Sequence, residues 1–559
     1  MIPRRAMLAA GPIALAGCGA DEKYFGRTEP PRTQRMVYLL GAEPGTLDPP
    51  KSGNPWEAAV IHAMFEGLTS SHAATKKVVA ALATHYHVTA DGLRYTFWLR
   101  GHPKPGGIPI SSSVRPLLPA RWSDGSTITA HDFVYSWRRA VAPETAAPYA
   151  AYLFAGVRNA SAITSGKKAP ESIGVRALDD FSLQVDLEAR VPFFLRLVGA
   201  QRQFYAVPRQ AIERHGDSWT DPGNIVTSGP FTLRERRRRD RILLVKSPHY
   251  HQAPETKLEE ILFHTVVDGT TSANVHMTGA ASFTMPRVPQ VLERLRTKKD
   301  LHSHVDFGAW FPAMNTRKPP FNDVRLRYAI NMATDKREIA RFLGKGYVPM
   351  AGVVPPLAGY PTPASLPVVL DGATIDILAH DPAAARALLA KAGRRGRLAF
   401  DYLVPPMPDM KLVAEILQDQ WKRNLDADVR IVYQDEPTWI QSVERVDYSG
   451  ITLWGEQGGL EDPTWFLNYF QGTPNASGTG WGNAGYDALL ATANAVVDPV
   501  ARMSKLAECE SYLLRAMPCL PLCNYVWTYL AKPFVKGLSN PFFGRVFHDV
   551  WIDTNWRPT

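Results

Sequence analysis

From Arg35 onward, segments with strand spacing alternate with segments of helical spacing, without an internal repeat or a low-complexity tract. No other feature restricts the fold as strongly, because mixed order of this kind is satisfied by sheets covered with helices. Leu93 to Leu99 alternates apolar and polar residues behind Asp91-Gly92, which predicts a strand entered through a tight turn. Thr129 and Asp132 have capping-box spacing ahead of Phe133, predicting a helix start. Leu326, Ala329, Ile330 and Ala333 keep helical spacing, Asp335 with Glu338 opens a second helix, and Gly344 closes it. Asp381-Pro382 and Gly393 bracket a third, alanine-rich helix. Gly101 to Arg121 breaks the rhythm with five prolines and three glycines in 21 residues, and reads as a long surface loop.

At 559 residues the chain is longer than one core sustains, since single cores stop growing near ~250–300 residues. Several domains are expected. A hydrophobic share of 45% and a charged share of 21% exclude disorder and rod-like folds. No run of ~18 apolar residues follows the first few turns of chain, which excludes a polytopic membrane protein. Four cysteines are too few for a disulfide scaffold.

The start of the chain is an address. Arg4-Arg5 precedes an apolar run from Ala6 to Leu15, and Leu15-Ala16-Gly17 leads into Cys18. A positive flank, a short apolar core and small residues before a cut site make residues 1–17 an export leader. The cysteine placed there resembles a bacterial lipobox, which makes Cys18 the lipidated N-terminus of the exported chain. Residues 18–34, polar and proline-bearing, read as a tether. The twin arginines leave the export route open.

Several segments then keep a common order: Glu43 to Pro49, Phe65-Glu-Gly-Leu68, Asp91 to Arg100, Trp122-Ser-Asp-Gly125, Ser228-Gly-Pro-Phe231, Asn315 to Arg325, Ala333 to Arg337, Tyr486 to Leu490, and Pro518 to Pro521. Together they resemble the solute-binding family 5 of bacterial ABC importers, which includes oligopeptide-, dipeptide- and nickel-binding proteins. The resemblance implies an α/β, two-lobed fold of the periplasmic-binding-protein type (type II, cluster C) with an extra domain. By that analogy one lobe is built from 35–66, 208–306 and 526–559, the extra domain from 67–207, and the second lobe from 307–525. It also implies hinge closure on a short peptide and delivery to an ABC permease, by a monomer held at the outer face of a membrane, periplasmic or cell-surface, with no cofactor, no metal and no nucleic acid.

A carrier of many peptide sequences pairs with the ligand's backbone rather than its side chains. The resemblance places one pairing segment at Ser52, Gly53 and Asn54. It places the other after Trp454, at Gly455 and beyond, in a motif of the form Trp-x-x-Asp-Tyr-x-x-Pro-x-x-Phe-Leu whose aspartate binds the ligand's α-ammonium. This chain is two residues longer between Trp454 and Pro463 and has no Asp-Tyr pair. Glu456, Glu461 or Asp462 is left to supply the carboxylate, and Glu456 is favoured for its nearness to Trp454. If none does, the ligand is a metal chelate or another non-peptide solute. Trp454, Trp465 and Trp481 are candidates for an aromatic cleft, with core packing as the alternative for each.

Other signals read as structure. His85/His87, His249/His251 and His302/His304 share strand faces in pairs, a spacing that suits chelation but also solvated strand edges. Gly480 to Gly485 matches a dinucleotide fingerprint in letters, but no strand pattern precedes it. No Gly-x-Ser-x-Gly, His-Glu-x-x-His or Walker-type segment supports an exported hydrolase, so the chain is not expected to be an enzyme. Cys519 and Cys523 lie too far apart along a strand to bond each other, which leaves Cys509 as a partner for either or all three as thiols. The net charge of +10 falls to +8 once Arg4 and Arg5 are removed, and Arg234 to Arg241 alone carries +4. Half the excess therefore sits on one expected hairpin tip, and no broad basic face is needed.

Overall fold

The computed structural model describes residues 23–72, 75–111, 118–344, 346–362, 368–370, 372–393, 396–458, 461–472, 477–538 and 547–558. The leader and Cys18 lie outside the described residues, as does the centre of the Gly101–Arg121 loop.

Three sheets organise these residues. The largest has eight strands, in the order Gly455–Gln457, Leu301–Trp310, Cys523–Ala531, Phe283–Thr284, Arg35–Leu40, Glu260–Thr265, Arg241–Lys246 and Phe231–Arg237. A four-stranded sheet runs Ala313–Met314, Ile451–Thr452, Ala399–Val404 and Asp428–Tyr433. Its last two strands are parallel, with the helix Pro408–Leu425 as the crossover between them. The third sheet, antiparallel and five-stranded, lies wholly within 67–207. Its edge strand Ile108–Pro109 comes from the proline-rich loop and pairs with His85 and Tyr86, so that loop extends a sheet rather than only covering it.

The first two sheets are the bodies of two lobes, and the chain passes between them three times. Leu301–Trp310 leads into Ala313–Met314, Ile451–Thr452 leads into Gly455–Gln457, and Cys519, bridged to Ala313, leads into Cys523–Ala531. The eight-stranded sheet thereby takes 307–310, 455–457 and 523–525 from the 307–525 stretch. Trp454 stands on the second crossing.

The predicted elements have their expected ends. Thr129 and Asp132 form a capping box on the helix Ala130–Val141. Asp335 caps Lys336–Leu343, which stops at Gly344 with φ 110°. Gly480, at φ 68°, packs on Arg317 in a loop ahead of the helix Ala484–Ala495, with no strand directly before it among the described residues. Cys509, Cys519 and Cys523 are all free, buried thiols. Among the described residues no group of three histidine, cysteine or acidic side chains is placed to hold a metal ion. His251 bonds Glu66 at 2.7 Å and His302 stacks on Tyr529.

Two regions make contacts beyond those expected. The arginine hairpin sits at the outer edge of the large sheet, where charge blocks further pairing. Its charge is partly spent, since Glu235 holds both Arg237 and Arg241 while Arg236 turns inward to donate to the Pro44 carbonyl at 2.6 Å. The stretch expected to be a tether is docked from Lys23 onward. Phe25 N–H donates to Asp300 Oδ1 at 2.9 Å, Lys532 Nζ donates to the Phe25 carbonyl at 2.9 Å, and Gln34 exchanges two bonds with Ile552. Two aromatic rings, Tyr24 and Phe25, pack on Trp556 and His276, which is why a polar segment adheres.

Candidate functional site

Ser52, Gly53 and Asn54 end a tight turn and start the helix Pro55–Met64. Asn54 Oδ1 accepts from the Trp56 and Glu57 amides, and Glu57 reaches back to the Gly53 and Asn54 amides at 2.8 and 3.3 Å. The Ser52 carbonyl accepts from Gln203 Nε2 at 3.1 Å, and its hydroxyl lies against Arg202 Nε and donates to the Pro49 carbonyl. Pro55 occupies the first helical position, where its missing N–H costs nothing. The backbone polar groups of this segment are thus largely satisfied inside the protein.

Gly455–Gln457 is the opposite case. It pairs on one side with Gly308–Trp310 and is the terminal strand of the eight-stranded sheet. The Trp454 carbonyl accepts from Phe311 N–H at 2.9 Å and Gly458 N–H donates to the Phe307 carbonyl, so even-numbered residues face the sheet. Antiparallel alternation then turns the Gly455 N–H and C=O and the Gln457 C=O outward. That edge is a template for one more strand.

Glu456 lies on this edge strand, half-buried. Trp465 Nε1 donates to it at 3.1 Å, and the Tyr469 hydroxyl and the Gln457 amide also donate. Tyr152 closes the enclosure: its ring meets Trp465 edge-on at 5.6 Å and Tyr469 at 5.8 Å, and its hydroxyl donates to the Trp465 carbonyl at 3.2 Å. Tyr149, at φ 64°, brings its phenol into the field of Glu456 and stands against Gly53, so it links the two candidate segments. Burial pushes the Glu456 carboxyl up to about 7 against the pull of its donors. Among the described residues no basic side chain forms an ion pair with it.

The other two candidate carboxylates are engaged. Asp462 is buried, holds Arg502 through two bonds of 2.8 and 3.0 Å, and accepts from the Thr464 amide and hydroxyl. Glu461 faces Lys76 Nζ at 2.5 Å and Arg196 at 3.5 Å, both from the 67–207 segment. Trp454 packs on Trp439 at 5.3 Å, and its buried Nε1 has no acceptor among the described residues. Trp481 packs edge-on against Tyr486 at 5.3 Å. Sequence reasoning missed Tyr149, Tyr152 and Tyr469 as companions of Glu456. Only the three-residue spacing of Tyr149 and Tyr152, which places both on one face of a helical turn, offered a hint.

Two lobes joined by three crossings, with an unpaired strand edge and an enclosed carboxylate between them, define a hinged binding protein. The chain belongs to the bacterial extracellular solute-binding proteins, family 5, whose middle region matches residues 119–478. It is 29% identical to the periplasmic oligopeptide-binding protein OppA of Escherichia coli over 96% of each chain. Its structure resembles that of the E. coli murein tripeptide-binding protein MppA (28% identity, TM-score 0.79, covering 94% of this chain and 99% of that one). It also resembles Haemophilus influenzae OppA in complex with the peptide RPPGFSPFR (28% identity, TM-score 0.77, covering 94% and 100%).

Proposed function

We propose that this chain is the capture subunit of an ABC importer, closing its two lobes on a short peptide and delivering it to the membrane permease. The observation that carries this reading is the open edge of Gly455–Gln457 with Glu456 on it. The peptide adds as a strand to that edge, and its α-ammonium takes the place beside Glu456, whose carboxylate is held by the Trp465 and Tyr469 donors, with the Tyr149 and Tyr152 rings alongside. Ser52, Gly53 and Asn54 form the facing wall, and Trp454 and Trp481 contribute aromatic surface to the cleft. Glu461 and Asp462 serve as scaffold, one as an ion pair to the 67–207 extra domain and one as a buried clamp on Arg502.

Residues 1–17 direct export, Cys18 carries the lipid, and the protein works as a monomer at the outer face of a bacterial membrane. The lobes follow the two large sheets, with 67–207 as the extra domain. Mass spectrometry of ligand retained by protein purified from its native source, joined to thermal-shift screening, tests the reading. Bound peptides and raised melting temperatures are expected. Only non-peptide species, with no shift from any di- to octapeptide, would overturn it.

A further inference from the structure

Where the N-terminal stretch docks, it completes a pocket of about 420 Å³ lined by Tyr24, Lys299, His302, Tyr529, Lys532 and Lys536, with apolar residues filling the remainder. Among the described residues no carboxylate lines it. Asp300, beneath Lys532, is fully buried and occupied by His276 at 3.1 Å and the Phe25 amide at 2.9 Å, with Lys532 at 3.9 Å. Lys532 is fully buried and donates to the Phe25 carbonyl, so the cations presented to solvent are those of Lys299 and Lys536. Lys299 is exposed and stands 6.0 Å over the Tyr24 ring, which in turn meets Trp556 edge-on at 5.6 Å. Lysines set among half-buried tyrosine and tryptophan rings are the chemistry of a lipid–water interface.

The position of this pocket is fixed by the chain. Tyr24 lines it, and Cys18 is six residues earlier. Six residues reach at most ~20 Å even when fully extended. Acyl chains carried on Cys18 therefore enter the bilayer within that distance of the pocket, whichever way the rest of the molecule turns. The arginine hairpin, richer in positive charge, has no such constraint and shares its charge with Glu235.

We propose that this pocket binds the phosphate headgroup of an anionic phospholipid in the anchoring membrane, so that the protein is held by its lipid and oriented by its docked N-terminal face. The proposal rests on acylation at Cys18, as read above. A headgroup contact beside the anchor limits rotation and sets which way the cleft faces.

The test uses the chain from residue 18 onward carrying Cys18→Ser, which has no acyl group, with vesicles of phosphatidylglycerol or of phosphatidylcholine. Co-sedimentation with phosphatidylglycerol alone, weakening as salt rises, is expected. The double variant Lys299→Gln, Lys536→Gln should lose about tenfold in partition, with its melting temperature and peptide affinity unchanged. Equal binding to both lipids, or no loss in the double variant, overturns the proposal. Release from vesicles by millimolar inorganic phosphate also overturns it, since the pocket then reads a soluble anion. The mass of the wild-type protein from membranes reports on Cys18 separately. An unmodified cysteine there overturns the anchor reading, whereas loss of charge-selective vesicle binding overturns only the headgroup site.

Discussion

Ser52–Asn54 and Gly455–Gln457 are the two segments nominated for pairing with a ligand backbone, and they hold their polar groups in opposite ways. The first is closed on itself: the Gly53 and Asn54 amides go to Glu57, and the Ser52 carbonyl goes to Gln203. The second is the end strand of a sheet, with one side unpaired among the described residues. A saturated segment gives shape and a helix cap, whereas an unsaturated one gives main-chain recognition. On the proposed reading, the ligand's backbone pairs mainly with the Gly455 side, and the other segment acts as a wall.

The largest effect expected from breaking this arrangement is on stability. Arg502→Met leaves Asp462 buried without its cation and should cost about 3–5 kcal/mol in denaturant unfolding. A neutral result would mean that Asp462 is solvated and free to serve the ligand, which would undo the sorting of the three carboxylates.

Next comes Glu456→Gln, which removes a charge-assisted contact and should weaken free-amino peptides by about 10- to 100-fold. The same residue sets a pH dependence. With its carboxyl raised to about 7, Glu456 is protonated in the empty protein below that pH and must ionise to accept an ammonium. Affinity should therefore climb as pH rises towards about 7 and fall again above about 8, where the ligand's own α-amine loses its proton, and Glu456→Gln should flatten the rising limb. The linked effect on the empty protein has the opposite sign. The folded state keeps this proton up to about 7 while the unfolded chain releases it near 4.5, so this group's contribution to stability falls as pH rises between those values.

The two segments are contrasted most sharply by backbone substitutions. Gly455→Pro removes an outward amide from the edge strand, where proline is structurally tolerated, and should cost about 1–3 kcal/mol of peptide binding by calorimetry. Gly53→Ala places a Cβ at ordinary contact distance from Pro148 and removes no donor, so affinity should stay within about twofold. Equal losses at both sites would erase the distinction. The smallest effect belongs to Glu461→Gln. The ion pairs with Lys76 and Arg196 are partly exposed, and losing them should lower affinity by at most about fivefold, an effect that fades in high salt.

How much of this was legible in the sequence depended on distance along the chain. Helix caps at Thr129, Asp335 and Asp381 were readable because their partners lie three residues away. The arginine hairpin was readable from its flanking apolar runs, but not that Arg236 turns inward to Pro44, a contact across 192 positions. Glu456 was picked out by its nearness to Trp454, whereas its surroundings come from residues 149–152 and 465–469 and needed the fold to bring them together. The docking of Lys23 to Arg27 was missed for the same reason. A polar, proline-bearing stretch reads as free until Asp300, Lys532 and Trp556 are placed beneath it.

In the proposed mode of capture, an open strand edge and an enclosed glutamate together receive the amino end of a peptide. Isothermal titration of a short peptide and its N-acetylated form, against wild-type protein and Glu456→Gln at pH 8, tests it most directly. Acetylation should weaken binding to wild type by about 10- to 100-fold, and the variant should no longer distinguish the two forms. Equal affinity of wild type for both forms, or undiminished discrimination by the variant, would contradict it.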